Sequence, residues 1–372
     1  MPNKAVILLF IILFQLTKAL WPKVIFLRSR FWELVNCKLL LVMKVIIPVA
    51  GLGIKLRPHT HTQPKALVPV AGKPILSHIV DTLIEAGLRD FIFIIGYLGD
   101  KIEEYIKENY PEIEKTFILQ EPREGTGHAV WLARKIIKDN DELIIALGDT
   151  IFDVQLKDIF SVSESLLGVK KVADPRNFGV AELDENGFIK SVIEKPPIPK
   201  SNLALVGLYK IREAKMLMSS IDHIISKNLR TQGEFHLTDA IMHMISEGAQ
   251  FKSFPVENWY DCGSKESLLE TNAILLKKNI GKNIKYTFEN TIINPPVSIA
   301  ANCQISNSII GPNVSIGENT IVNYSIIKES IIGSFSEIKN SVMHHSVIGS
   351  DASLRGLSQS LNLGDSTEID FG

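Results

Sequence analysis

The sequence predicts an α/β fold: a doubly wound mixed sheet followed by a left-handed parallel β-helix. From Lys44, short apolar runs alternate with amphipathic segments, the pattern of buried strands joined by crossover helices. Beyond about Thr291 that pattern stops, and Ser308-Ile309-Ile310-Gly311 recurs as Ser330-Ile331-Ile332-Gly333 and Ser346-Val347-Ile348-Gly349. A length of 372 residues also exceeds what one compact core holds. The expected division is an α/β domain over 43–280 and a β-helix over 281–372, behind a leader of residues 1–42.

The leader opens with an apolar run from Ala5 to Leu16, interrupted only by Gln15 and preceded by Lys4. It has the look of a signal-peptide core or a short anchor, and it is too short for an ordinary spanning helix. Residues 21–42 scatter Lys23, Arg28, Arg30, Glu33 and Lys38 among apolar residues without a clear period. Met43 then opens Met-Lys-Val-Ile-Ile-Pro-Val, a natural chain start running straight into a buried strand. A start codon placed too far upstream is the favoured reading, a membrane anchor the second, and export the last. The chain from Met43 is expected to fold and work without the leader.

Lys44 to Val49 reads as the first strand, followed by a Gly-rich loop and a helix from Ile75 to Ala86 that Gly87 stops. Strands at Phe91–Ile95, Phe117–Leu119 and Leu143–Leu147 alternate with helices at Lys101–Glu108 and Ala129–Ile137. Ligands of such sheets bind beyond the carboxyl ends of the strands, which places the Gly-rich loop and Asp149 on the functional edge. Val180–Leu183 and Phe188–Ile193 flank Asp184-Glu185-Asn186-Gly187, a hairpin with Asn-Gly in its turn. A strand at Leu203–Ile211, a helix at Thr238–Glu247, a strand at Phe251–Val256 and a helix at Lys265–Lys278 complete the domain. In the tail, aliphatic residues stand six apart at Ile310 and Ile316, Ile332 and Ile338, and Ile348 and Leu354, the hexapeptide pattern of one inward residue per face. So short a β-helix has exposed ends and is expected to pack on another surface or subunit, so a homo-oligomer is expected.

The totals narrow the function. Hydrophobic residues make up 45% and charged residues 22%, fitting a soluble globular chain. A net charge of −1 gives no global pull toward nucleic acid or an anionic membrane, so phosphate binding has to be local. Cys37, Cys262 and Cys303 form neither a disulfide framework nor a metal-ligand spacing, which suits a reducing, cytoplasmic setting.

The chemistry starts at Gly51-Leu52-Gly53-Ile54-Lys55-Leu56-Arg57-Pro58, directly after a strand. Glycines such as Gly51 and Gly53 let backbone N–H groups approach a phosphate that a nearby cation, Lys55, neutralises. The segment has neither Gly-x-Gly-x-x-Gly nor Walker spacing, so dinucleotide binding and ordinary ATPase chemistry do not follow. More specific is Gln63-Pro64-Lys65-Ala66-Leu67-Val68-Pro69-Val70-Ala71-Gly72-Lys73-Pro74. With Gln120, Gly125-Thr126-Gly127-His128-Ala129, Leu147-Gly148-Asp149, Phe178-Gly179-Val180, Glu194-Lys195-Pro196, Gly207-Leu208-Tyr209 and Trp259-Tyr260-Asp261-Cys262-Gly263-Ser264, it makes the chain from Met43 to Gly372 resemble the nucleotide-sugar pyrophosphorylase family. The likeness is greatest to long-form glucose-1-phosphate thymidylyltransferases with a β-helical tail.

That resemblance implies roles. Lys65 would contact the phosphates of both substrates. Gln120 and Gly125, with Thr126 beside them, would hold the pyrimidine base. Asp149 and Asp261 would share a Mg²⁺ ion, and Gly179, Glu194, Lys195 and Tyr209 would bind the sugar phosphate. The implied reaction joins a pyrimidine nucleoside triphosphate, dTTP favoured, to glucose 1-phosphate. A uridylyltransferase acting on glucose or N-acetylglucosamine 1-phosphate is the first alternative. A catalytically weak, nucleotide-sugar-binding regulator is the second. Ile54-Lys55 departs from the family's usual Thr-Arg, losing a hydroxyl donor and a bidentate guanidinium. Asp149 as a helix cap and Asp261 as a turn residue are the plainer alternatives. His59, His61 and His128 read as solvated loop histidines, His344-His345 as turn residues rather than an acyltransferase pair, and Cys262 as a packing residue.

Overall fold

The computed structural model describes residues 43–278, 286–356, 358–359 and 361–370. The leader and the expected boundary at 280–281 lie outside them. In chain order the first unit holds β1 (Lys44–Pro48), α1 (Ile75–Glu85), β2 (Asp90–Ile95), α2 (Gly99–Asn109), β3 (Glu114–Leu119), α3 (Thr126–Leu132), β4 (Leu143–Ala146), β5 (Thr150–Asp153) and α4 (Leu156–Ser161). There follow β6 (Ser165–Lys171), β7 (Gly179–Leu183), β8 (Ile189–Glu194), β9 (Leu203–Ile211), α5 (Ala214–Ser226), α6 (Leu237–Ser246), β10 (Phe251–Pro255), β11 (Asn258–Asp261) and α7 (Lys265–Lys278).

Strands β4, β1, β2 and β3 lie side by side and parallel, and β9 adds to β4 antiparallel. The β7–β8 hairpin and β6 extend the sheet from β9, and β10 runs parallel to β6. The sheet is therefore parallel in its first half and mixed as a whole. The period of two in a strand sorts its side chains between two cores. Val45 and Ile47 face one core with Phe91 and Phe93, whereas Ile46 faces the other with Ile92 and Ile94. All seven are essentially buried, which is why β1 and β2 read as continuous apolar runs.

Two expectations change in detail. The helix expected from Ala129 begins at Thr126 and tightens into a 3-10 turn at Ala133–Lys135. Strands β5, β6 and β11 and helix α5, which periodicity did not single out, are present.

The tail is a three-sided β-helix of three five-stranded parallel sheets, the left-handed form expected. Ile310, Ile316, Val322, Ile327, Ile332 and Ile338 succeed one another inside it, all fully buried. Spacings of six survive where Ile316 leads to Val322 and Ile332 to Ile338, but the steps to Ile327 and Ile332 take five, so the repeat is shorter than a strict hexapeptide. The corners turn through left-handed residues, among them Asn302, Asn319 and Asn340, and asparagine tolerates that conformation better than most side chains.

The β-helix packs on the α/β unit. Its outward row Ser298, Ser315, Ile331, Val347, Asn362 runs up one face. Ile331 and Val347 join the same core as β1 and α1, and buried Asn272 of α7 accepts from Ser315 Oγ at 2.6 Å and donates to the Asn313 carbonyl at 3.1 Å.

Candidate active site

Asp149 stands just beyond β4, in the turn to β5. Gly148 makes that turn possible, because a Cβ there would lie 2.2 Å from Val49 Cγ1. β5 pairs antiparallel with β11, setting Thr150 opposite Asp261, and the Cys262 N–H donates to the Asp149 carbonyl at 3.2 Å. Two aspartates far apart in the chain thus become neighbours. Lys65 opens a 3-10 turn and donates through Nζ to Asp149 Oδ2 at 2.8 Å.

The charges reinforce one another. Burial opposes the Lys65 ammonium, but Asp149 and then Asp261 outweigh it and hold its pKa above the ordinary lysine value. Desolvation pushes Asp149 upward, and Lys65 more than reverses it, leaving that carboxyl below its ordinary value. Asp261 ends above its ordinary value, through burial first and the neighbouring Asp149 charge as well. Cys262 is fully buried, and burial pushes its thiol up to about 12, which fits packing rather than attack.

A cavity of about 230 Å³ adjoins this trio and is lined by Gly51, Lys65, Gln120, Arg123, Gly125 and Asp149 among others. Buried Gln120 donates to the Gly125 carbonyl at 3.0 Å. Gly125 has φ of 105° and approaches the Phe235 carbonyl to within 2.5 Å of where a Cβ would sit, so no side chain fits there. The Thr126 hydroxyl accepts from the Leu237 N–H at 3.1 Å, tying α3 to the start of α6.

The residues expected at the sugar form a second group. Thr238 Oγ1 donates to Glu194 Oε2 at 3.0 Å, and Lys195 Nζ lies 3.6 Å from Glu194 Oε1. Gly179 lies against the same carboxylate. Lys195 holds φ of 40°, a left-handed conformation rare for lysine and of the kind that gathers at functional sites. Tyr209 is buried, and burial first, then the Glu194 and Asp149 charges, raise its hydroxyl above the ordinary tyrosine value.

Two expected phosphate contacts do not line the cavity. Lys55 is exposed, and Gly53 packs against Thr60 and against Lys65, which does line it. Of the histidines expected to be solvated, His61 is exposed, whereas the reading of His59 and His128 needs correction. His59 is buried, with Nε2 donating to Asn362 at 2.5 Å, and His128 is buried beside Gln120 and stacked on Trp131. His59 escaped solvent because the β-helix, remote in sequence, covers it, and His128 because it lies in α3 rather than in a loop. His344 and His345 are exposed, with His345 at a left-handed corner, as turn residues.

Arg123 and Glu234 line the cavity without having been singled out, and His236 lies 4.0 Å from Glu194. Arg123 was findable as a cation between Gln120 and Gly125. Glu234 and His236 arrive through backbone pairing of Phe235 with Glu124 and Gly127, which no local pattern signals. Among the described residues no cluster of three or more metal-ligating side chains occurs, and no helix is long and apolar enough to cross a membrane.

A mixed sheet carrying a Gly-rich loop, a lysine and an acidic pair at its carboxyl edge defines a nucleotide-handling class of α/β protein. The nucleotidyl transferase family matches residues 44–278, and the chain belongs to that family. It is 35% identical over 243 residues to the low-salt glycan biosynthesis nucleotidyltransferase Agl11 of Haloferax volcanii, covering 63% of this chain and 66% of that one. It is 38% identical over 253 residues to the bifunctional protein GlmU of Methanocaldococcus jannaschii, covering 68% of this chain and 58% of that one. The chain thus spans less than two thirds of the length of either relative. A structure described as a glucose-1-phosphate thymidylyltransferase of Bacillus anthracis in complex with sucrose superposes with a TM-score of 0.54 at 28% identity, over 66% of this chain and 97% of that one.

Proposed function

We propose that the chain is a sugar-1-phosphate nucleotidylyltransferase that moves the nucleotidyl group of a pyrimidine nucleoside triphosphate, dTTP before others, onto glucose 1-phosphate and releases pyrophosphate. One observation carries the reading: Asp149 and Asp261 adjoin at the sheet edge with the Lys65 ammonium on one of them, beside a cavity of nucleoside dimensions. The likeness to the Bacillus anthracis structure supports glucose 1-phosphate and dTTP.

An oxygen of the sugar phosphate attacks the α-phosphorus. The new oxygen–phosphorus bond forms as the α–β bridge breaks, and the electron pair leaves on pyrophosphate. No protein nucleophile is required, so the side chains contribute position and charge. The Gly51 backbone faces the triphosphate, Gln120 and Gly125 orient the base, and Lys65 offsets phosphate charge. Glu194 accepts from sugar hydroxyls while Lys195 pairs with the sugar phosphate. The adjoining oxygen donors of Asp149 and Asp261 fit a magnesium ion, since burial first, and the Asp149 charge as well, hold the Asp261 carboxyl above its ordinary value, and a cation would offset both. When bound there, magnesium supplies charge neutralisation at the reacting phosphates.

The likeness to GlmU favours a second reading, with UTP and glucose or N-acetylglucosamine 1-phosphate. A 5-methyl group discriminates by only about 1–3 kcal/mol, so the two differ by a small contact. Pyrophosphate release measured across four nucleoside triphosphates and several sugar 1-phosphates tests both. The fastest release is expected with dTTP and glucose 1-phosphate. Preference for UTP would replace the first reading with the second, and nucleotide-sugar binding without release from any pair would leave a regulator.

A further inference from the structure

The outward row of the β-helix that docks on the α/β unit ends at Asn362, beside the loop that follows the glycines. Asn362 Oδ1 accepts from His59 Nε2 at 2.5 Å, and Asn362 Nδ2 donates to the Arg57 carbonyl at 3.4 Å. Thr62 Oγ1 donates to Asp365, and Gly364 fits against Pro58, where a Cβ would come within 3.1 Å. The last coil therefore grips the loop at four points, residues 57, 58, 59 and 62.

The other side of the same loop touches the site. Thr60 is buried, its hydroxyl donates to the Gly53 carbonyl at 2.8 Å, and Gly53 in turn lies against Lys65 Cβ. The loop itself is two short 3-10 turns, Ile54–Leu56 and His59–His61, whose internal hydrogen bonds, such as Arg57 N–H to the Ile54 carbonyl and His61 N–H to the Pro58 carbonyl, fix its local shape rather than its placement. Buried Leu56 anchors it to the core, and Tyr97 and Lys101 donate to the carbonyls of His61 and Thr62 at 2.9 and 2.7 Å. A loop so built takes its position from what grips it.

We propose that Asn362 and Asp365 are positioning residues: through His59, Arg57 and Thr62 the last coil of the β-helix sets the loop that carries Gly53 and abuts Lys65, and so sets the triphosphate. This rests on the nucleotidyl-transfer reading for its catalytic consequence, whereas the brace itself can be read without turnover. Burial keeps His59 below the ordinary histidine value and so neutral, with an N–H for Asn362.

The test compares the full chain with Asn362→Ala and with Thr62→Val. Asp365 is left intact because it also accepts from the Ser350 N–H inside the β-helix. Amide hydrogen exchange across residues 53–65 is followed together with KM for dTTP, UTP and glucose 1-phosphate. Loss of about one net hydrogen bond should speed exchange in that segment about fivefold in each variant, with β-helix amides unchanged. KM for the preferred triphosphate should rise by a similar factor while KM for glucose 1-phosphate holds. Unchanged exchange in 53–65 in both variants, or an equal rise in both KM values, would overturn the proposal. If the parent chain releases no pyrophosphate from any pair, the nucleotidyl-transfer reading fails and exchange alone decides the brace. Should Asn362→Ala disturb the β-helix, Thr62→Val, which lies in the loop, still decides it.

Discussion

At the scale of single residues, the Lys65 ammonium holds the Asp149 carboxylate at 2.8 Å, and the β5–β11 pairing brings Asp261 beside them. Lys65, Asp149 and Asp261 stood in motifs with strong residue preferences, and they meet in space. Lys55 stood next to the glycines in sequence, yet it is exposed and does not line the cavity. Adjacency along the chain does not fix direction in a loop of short 3-10 turns. His59 misled for the converse reason, being covered by Asn362 from far along the chain, and His128 because it sits in a helix beside Gln120 and Trp131. Ile54 is 60% exposed, so its replacement costs no packing. The double change Ile54→Thr, Lys55→Arg restores a hydroxyl donor and a bidentate cation beside the glycines. It should raise kcat/KM by at least about tenfold, measured as pyrophosphate release, since a positioned donor is worth ~10²–10³ in rate. An unchanged kcat/KM would place these positions outside catalysis.

At the scale of elements, length alone did not decide what could be read: the thirteen-residue helix Ala214–Ser226 and the seven-residue strand Ser165–Lys171 escaped, whereas the five-residue strand Lys44–Pro48 did not. Lys44–Pro48 and Leu203–Ile211 are largely apolar runs, and Lys265–Lys278 was legible as a helix although its amphipathic pattern is weak. Thr150–Asp153 and Asn258–Asp261 are four residues each and pair only with one another, so neither has a legible period, although together they unite the two aspartates. In the β-helix the repeated serines have a reason beyond spacing. Ser325 Oγ donates to the Asn323 carbonyl at 2.8 Å and accepts from the Ser341 N–H at 3.2 Å, just as Ser308 accepts from Ser325 one coil earlier. A buried hydroxyl thus satisfies a backbone donor between coils. Ser325→Ala should strand the Ser341 N–H and destabilise the β-helix by about 1–3 kcal/mol in denaturant unfolding. A loss under about 0.5 kcal/mol would mean that the ladder is ornamental to stability.

At the scale of the whole molecule, the sheet separates two cores and the β-helix braces the edge that carries the charged centre. The sequence disclosed two architectures in order but not their docking, because the contacting row of Ser298, Ser315, Ile331, Val347 and Asn362 mixes polar and apolar residues with no pattern of its own. The account stands on Asp149 and Asp261 gripping a divalent cation together. Its most direct test is Mn²⁺ binding in the presence of dTTP or UTP, followed by electron paramagnetic resonance, for the parent chain, Asp149→Asn and Asp261→Asn. Each substitution should weaken the ion by at least about 100-fold, beyond what loss of a mere supporting contact costs, while circular dichroism stays unchanged. Two folded variants that still take up Mn²⁺ as the parent does would contradict the account.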